Sequence, residues 1–204
     1  MRQAMLITAS MVLLLPSCLT AAAAGQQIDT EQSMFTIHVG KSGLLSAAGH
    51  EHEIRAGFAH GSMDAGSSPH IEFTVNARTL KAMDPDLSPD NRADVQHTMH
   101  TKVLESEKYP EISFRSTSIK SDGEHKWAVV GILTLHNQSR PIRVEAQESN
   151  GSYTGTSRIK QTDFGIEPVT VGGGLVKVKN ELKIEFLVIP FGSSPVPRAR
   201  QIRR

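Results

Sequence analysis

The sequence predicts a mainly β fold, an antiparallel barrel of about eight strands with one helix beside it. Three observations carry this. Apolar and polar residues alternate in segment after segment, the period of a half-buried strand. Short clusters of Gly, Asn, Asp and Ser separate the segments, as hairpins require. Only one stretch breaks the two-residue period: Val95, Met99 and Val103 fall at i, i+4 and i+8, one face of a helix. A sheet of this size must close or stack to hide its edges. Tight turns between consecutive strands favour up-and-down closure, with an immunoglobulin-type sandwich as the structural alternative.

The first strand puts Phe35, Ile37 and Val39 on one face, before Gly40-Lys-Ser-Gly43 interrupts. Ile54, Ala56 and Phe58 share the next face, and Gly61 and Gly66-Ser-Ser-Pro69 mark turns. His70 to Ala77 alternates Ile71, Phe73, Val75 and Ala77 against Glu72, Thr74 and Asn76. Residues 84–92 read as a loop, from which Ser88 or Asp90 caps the helix. Pro110 lacks an N–H and biases Tyr109 out of the α region, so the helix stops before it. A strand with Ile112 and Phe114 on one face follows. Ser121-Asp-Gly-Glu turns into a long strand in which Trp127, Val129, Gly131, Leu133 and Leu135 share a face, while Val130 and Ile132 make its middle apolar on both faces. Turns at 137–140 and 148–152 bracket Ile142, Val144 and Ala146. The segment from Tyr153 to Gly165 reads as irregular, ending in a short helix or bend. Gly172-Gly-Gly174 precedes a closing strand that aligns Leu182, Ile184, Phe186 and Val188.

Residues 1–24 are expected to be a secretory signal: Arg2, an apolar run from Met5 to Leu15, then Ala21 to Ala24. The run is too short to span a bilayer. Cys18, the one cysteine, sits in a sequence that resembles a lipoprotein cleavage site, but Pro16 fits such a site poorly, so cleavage after Ala23 or Ala24 is the expected route. The mature domain, residues 25–190, then has no disulfide and is held by packing. Residues 191–204 form a basic tail. Five of the 22 basic residues are Arg2, Arg198, Arg200, Arg203 and Arg204, which leaves 17 against 21 acidic residues in the body. An acidic body argues against nucleic acid. The tail reads as a solvated end, or as a peripheral contact with anionic lipid at about 1 kcal/mol per basic residue.

No nucleophile elbow, phosphate loop or mature cysteine is present, so the expectation is a protein that is not an enzyme and needs no cofactor. The alternative is a periplasmic metal-binding or stress-response protein that holds a divalent metal through paired histidines. His50 and His52 lie two apart and His97 and His100 three apart, so a meeting of strand and helix would converge four imidazoles suited to zinc, copper or nickel. Without catalytic groups the barrel interior is the candidate site. Each buried CH₂ of an alkyl chain contributes ~0.8 kcal/mol, while association costs on the order of 4–15 kcal/mol. An apolar tube therefore selects chains of a dozen carbons or more. A core filled by its own side chains is the other reading of the same pattern.

Four segments together resemble the YceI-like family of secreted bacterial proteins. They are Ile28 to Ser33 leading into Phe35 to Val39; Val103 to Thr117; Val130 to Leu135 with Arg140-Pro-Ile142; and Thr162-Asp-Phe-Gly-Ile166. The resemblance implies a lipocalin-like, eight-stranded barrel around an apolar channel for an isoprenoid or other amphipathic lipid, a periplasmic address and a homodimer. The chain departs from the family pattern at Ala48 to Ile54 and at Asn91 to Val95, regions expected to shape the channel mouth. Alternation then turns Phe35, Ile37, Phe58, Phe73, Val75, Ile112, Phe114, Leu133, Leu135 and Phe186 toward the lipid.

Overall fold

The computed structural model describes residues 25–42, 51–171 and 175–193. The expected signal with Cys18, His50, the Gly172–Gly174 run and the tail beyond Ser193 lie outside the described residues.

Twelve strands form one curled antiparallel sheet. In chain order they are β1 (Gln26–Gln27), β2 (Met34–Ser42), β3 (His52–Gly57), β4 (His60–Asp64), β5 (His70–Asn76), β6 (Lys81–Ala82), β7 (Glu111–Ser121), β8 (Lys126–Leu135), β9 (Gln138–Ser149), β10 (Ser152–Lys160), β11 (Thr170–Val171) and β12 (Val176–Val188). The count exceeds the eight expected because three strands are two-residue pieces, set by backbone pairing alone, and one stave is split in two. β2 pairs with β3, whereas β4 pairs with β5. Counting antiparallel steps around the sheet, from β4 through β5, β7, β8, β9, β10, β12 and β2, brings β3 out running the same way as β4. The two are therefore halves of one bent strand, and the sheet closes through the backbone at Phe58 and Ala59. Eight staves result.

A bend leaves one free edge on each half. β1 pairs with the free edge of β4. Its neighbours reach the far end of β12 through an Ile28–Pro190 bridge and a hydrogen bond from Asp29 N to Ile189 O of 2.8 Å. β6 pairs with the free edge of β3. Its own outer edge is covered by one side chain. The Gln96 amide accepts from Ala82 N (2.7 Å) and donates to Leu80 O (2.6 Å), taking the place of a peptide in the ladder.

Gln96 belongs to helix α1 (Pro89–Thr98), which opens with Pro in its first turn and Ser88 as cap, the Ser88 Oγ accepting from Asn91 N at 3.2 Å. Met99–Val103 continues it as a π turn that buries Met99, with Leu104 buried just beyond. Residues 138–149 and 152–160 meet at Asn150 and Gly151, both with positive φ, as a two-residue hairpin demands. The ladders slip near Thr117 and between Val178 and Leu182, and such bulges help the sheet curl.

Where the sequence reads as irregular, the structure has β10, a regular strand paired along its length with β9 and β12. Only its last part matches expectation, a 3-10 turn at Gln161–Phe164. The alternation is present but hidden, because the inward positions of β10 carry Tyr153, Gly155, Ser157 and Ile159.

Candidate functional site

The staves enclose a cavity of about 410 Å³, within the ~300–1,000 Å³ of small-molecule pockets. At the helix end its wall is Leu80, Leu104, Leu135, Gln161 and Ile166, all buried. At the opposite end, where the hairpins turn, it is lined by Ala65, Gly66, Pro69 and Ser121, all exposed. The cavity is thus a blind tube with its mouth at the hairpin end. Half-buried Trp127 and Tyr153, their ring centroids 5.8 Å apart, stand on its wall near that mouth.

Phenylalanine rings line the side nearest the bent stave. Phe58, at the bend, meets Phe35 of β2 edge-on at 5.1 Å and Phe73 of β5 edge-on at 5.0 Å, and Phe73 stacks on Phe114 of β7 at 5.3 Å. Gly131 on β8 leaves room for the Phe114 ring, since a Cβ there would strike it. Gly155 does the same for Phe186.

Nine of the ten residues expected to face the interior stand on the cavity wall: Phe35, Ile37, Phe58, Phe73, Ile112, Phe114, Leu133, Leu135 and Phe186. Val75 is 1% exposed and packs in the core instead. Alternation sets the face of a residue and leaves its depth along the barrel open. The sequence did not point to Tyr153, Ser157 or Gln161, which line one wall along β10 and the turn after it. Ser157 Oγ donates to Arg143 O (2.8 Å), and Gln161 Nε2 donates to Lys179 O (2.8 Å). Burial, and after it the charge of Glu148, hold the Tyr153 phenol above its ordinary range, so it is a neutral hydroxyl at physiological pH.

Two of the candidate histidines have other partners. His52 Nδ1 lies 2.9 Å from Asp84 Oδ2, and His100 contacts Gln96 and Ser106. His97 is exposed on α1. Among the described residues no three His, Cys, Asp or Glu side chains stand where they would hold a metal ion.

A closed antiparallel barrel around a blind apolar pocket defines a small β-barrel of the ligand-enclosing kind. The chain belongs to the YceI-like domain family, whose model matches residues 26–189. Curated relatives include a UPF0312 protein of Pseudomonas syringae pv. tomato, 38% identical over 135 residues that cover 61% of this chain and 66% of the relative. A UPF0312 protein of Vibrio cholerae is 28% identical over 131 residues, covering 56% and 68%. The chain thus spans 66% of the length of its Pseudomonas savastanoi and Pseudomonas syringae relatives. Among solved structures, Burkholderia cenocepacia BcnA superposes with a TM-score of 0.58 at 18% identity, covering 79% of this chain and 98% of BcnA. A polyisoprenoid binding domain from Saccharophagus degradans superposes at 0.56 and 11%, covering 81% and 97%. These two likenesses establish the lipocalin-like fold.

Proposed function

We propose that this protein is a non-enzymatic carrier, exported to the periplasm, that holds the hydrocarbon chain of an isoprenoid or similar amphipathic lipid in the tube. The observation that carries the reading is a tube open at one end, blind at the other and lined almost wholly by aliphatic and aromatic side chains. Membership of the YceI-like family supports it, as does the polyisoprenoid binding of the structurally similar Saccharophagus domain. The segment at residues 1–24, with its apolar run and alanine cluster, supports export. The walls offer a long chain about 0.8 kcal/mol per buried CH₂, and a preformed cavity lowers the cost of ordering the partners.

Mass spectrometry of an organic extract of the purified protein tests this. The expected result is a co-purifying lipid with a long apolar chain, and saturable uptake of a polyprenyl probe by the stripped protein. Val144→Trp, which puts an indole into the lumen, is expected to abolish uptake while the far-ultraviolet circular dichroism stays unchanged. A protein that carries no lipid and takes up no probe refutes the carrier.

A further inference from the structure

Below the mouth, which Asp64, His70 and Ser121 also line, every stave but one presents an apolar inner face along the tube. The exception is β10 and the turn after it, with Tyr153, Ser157 and Gln161 at i, i+4 and i+8. On a strand rising about 3.3 Å per residue, these polar groups are spaced roughly 13 Å apart, from mouth to blind end. They do not converge on one head group, so each must be judged by where it sits.

Gln161 sits at the blind end and is 4% exposed. Its Nε2 is committed to Lys179 O, which fixes the orientation of the amide. Gln161 lines the cavity and its Oε1 has no hydrogen-bond partner among the described residues, so Oε1 is the amide atom left for an occupant. Around it stand Leu80, Leu104, Leu135 and Ile166. The terminal methyl groups of a hydrocarbon pushed against this floor would leave a buried acceptor unpaired, which is unfavourable. Among the described residues, the ionisable side chains on the cavity wall are Asp64, His70 and Tyr153, all on segments that reach the mouth. A charged head group therefore has no counter-ion among the described residues of the floor, and a carboxylate there would meet an acceptor with an acceptor.

We infer that the occupant enters head first, with a neutral hydrogen-bond donor, an alcohol in its simplest form, bound to Gln161 Oε1 at the blind end and the chain running back toward Trp127 and Tyr153. This rests on the carrier reading and names its ligand class and orientation. It also assigns Gln161 as the specificity-determining residue.

The test compares a C20 prenol with its O-methyl ether, both titrated into the stripped full-length protein. The expected result is that the prenol binds about tenfold more tightly, the worth of one buried hydrogen bond, and that Gln161→Met, similar in shape without polar groups, brings the ratio close to one while still binding the ether. Equal affinities in the wild type would overturn the inference and leave the carrier reading standing, whereas failure of both probes to saturate would overturn the two together. A second measurement needs no variant. Trp127 is the one tryptophan in the sequence, so a prenol brominated at its far end should quench it and one brominated beside the hydroxyl should not; the reverse pattern refutes the head-first orientation.

Discussion

Two sides of the tube are built on different principles. On one, Phe35, Phe58, Phe73 and Phe114 join ring to ring across the bent stave. On the other, β10 stands opposite β5, with three staves between them either way round, and carries Tyr153, Ser157 and Gln161. The aromatic side holds the barrel where its hydrogen-bond ladder changes partners, and its contribution is area removed from water. The β10 side is held by two continuous ladders, to β9 and β12, and needs no such help. Its inward positions are therefore free to carry chemistry. Packing is concentrated where the ladder is interrupted, and polar groups where it runs unbroken on both sides.

The largest expected effect comes from breaking the aromatic side. Phe58→Ala removes the ring that touches both flanking phenylalanines at a site 6% exposed, and should cost about 3–5 kcal/mol, read as a shift of the urea midpoint. Next is Gly155→Val on the opposite wall, where a Cβ would collide with the Glu145 carbonyl and the Phe186 ring. A loss of about 1–3 kcal/mol is expected, with probe uptake reduced because Phe186 is driven into the lumen. Ser157→Ala removes a hydrogen bond to the Arg143 carbonyl and should cost about 0.5–1.5 kcal/mol while leaving affinity for a purely apolar probe equal or higher. A fall in that affinity would show that the polar wall contributes to holding the chain itself.

The smallest effect is one of pH. The phenol of Tyr153 is held above its ordinary value by burial and then by Glu148, so the folded state keeps its proton longer than the unfolded state does. The stability tied to that proton is complete below the ordinary phenol value near 10 and is lost as pH rises through the higher folded value. Alkaline unfolding of Tyr153→Phe should therefore show a shallower slope in this range than the wild type. Identical slopes would place the hydroxyl in water.

Much of this comparison was legible in the residues, but unevenly. The aromatic side announces itself because Phe35, Phe73 and Phe114 each alternate with polar neighbours, and burial on one face is what a two-residue period records. Pro110 and Ser88 mark the helix boundaries through their own backbone chemistry. β10 escaped because the period is visible only when the inward residue is the apolar one. β1 and β6 escaped because two residues carry no period, and their pairing depends on edges that exist only once β3 and β4 have bent. Val75 was assigned the correct face and the wrong depth. The barrel expected from the resemblance to the YceI-like family is present, and its eight staves are recovered when the bent strand is counted once.

That bend has a mechanical corollary. Every other pair of neighbouring staves is stitched by several rungs, so cutting any one turn leaves the cylinder's circumference intact. Between Phe58 and Ala59 the circumference passes through backbone alone, seconded only by the few rungs that β1 and Ile28 make to β4 and to Pro190. A protease nick in the 65–69 hairpin would leave the hoop whole, while one at Ala59 would leave it closed only by the short bridge that β1 makes between β4 and the end of β12.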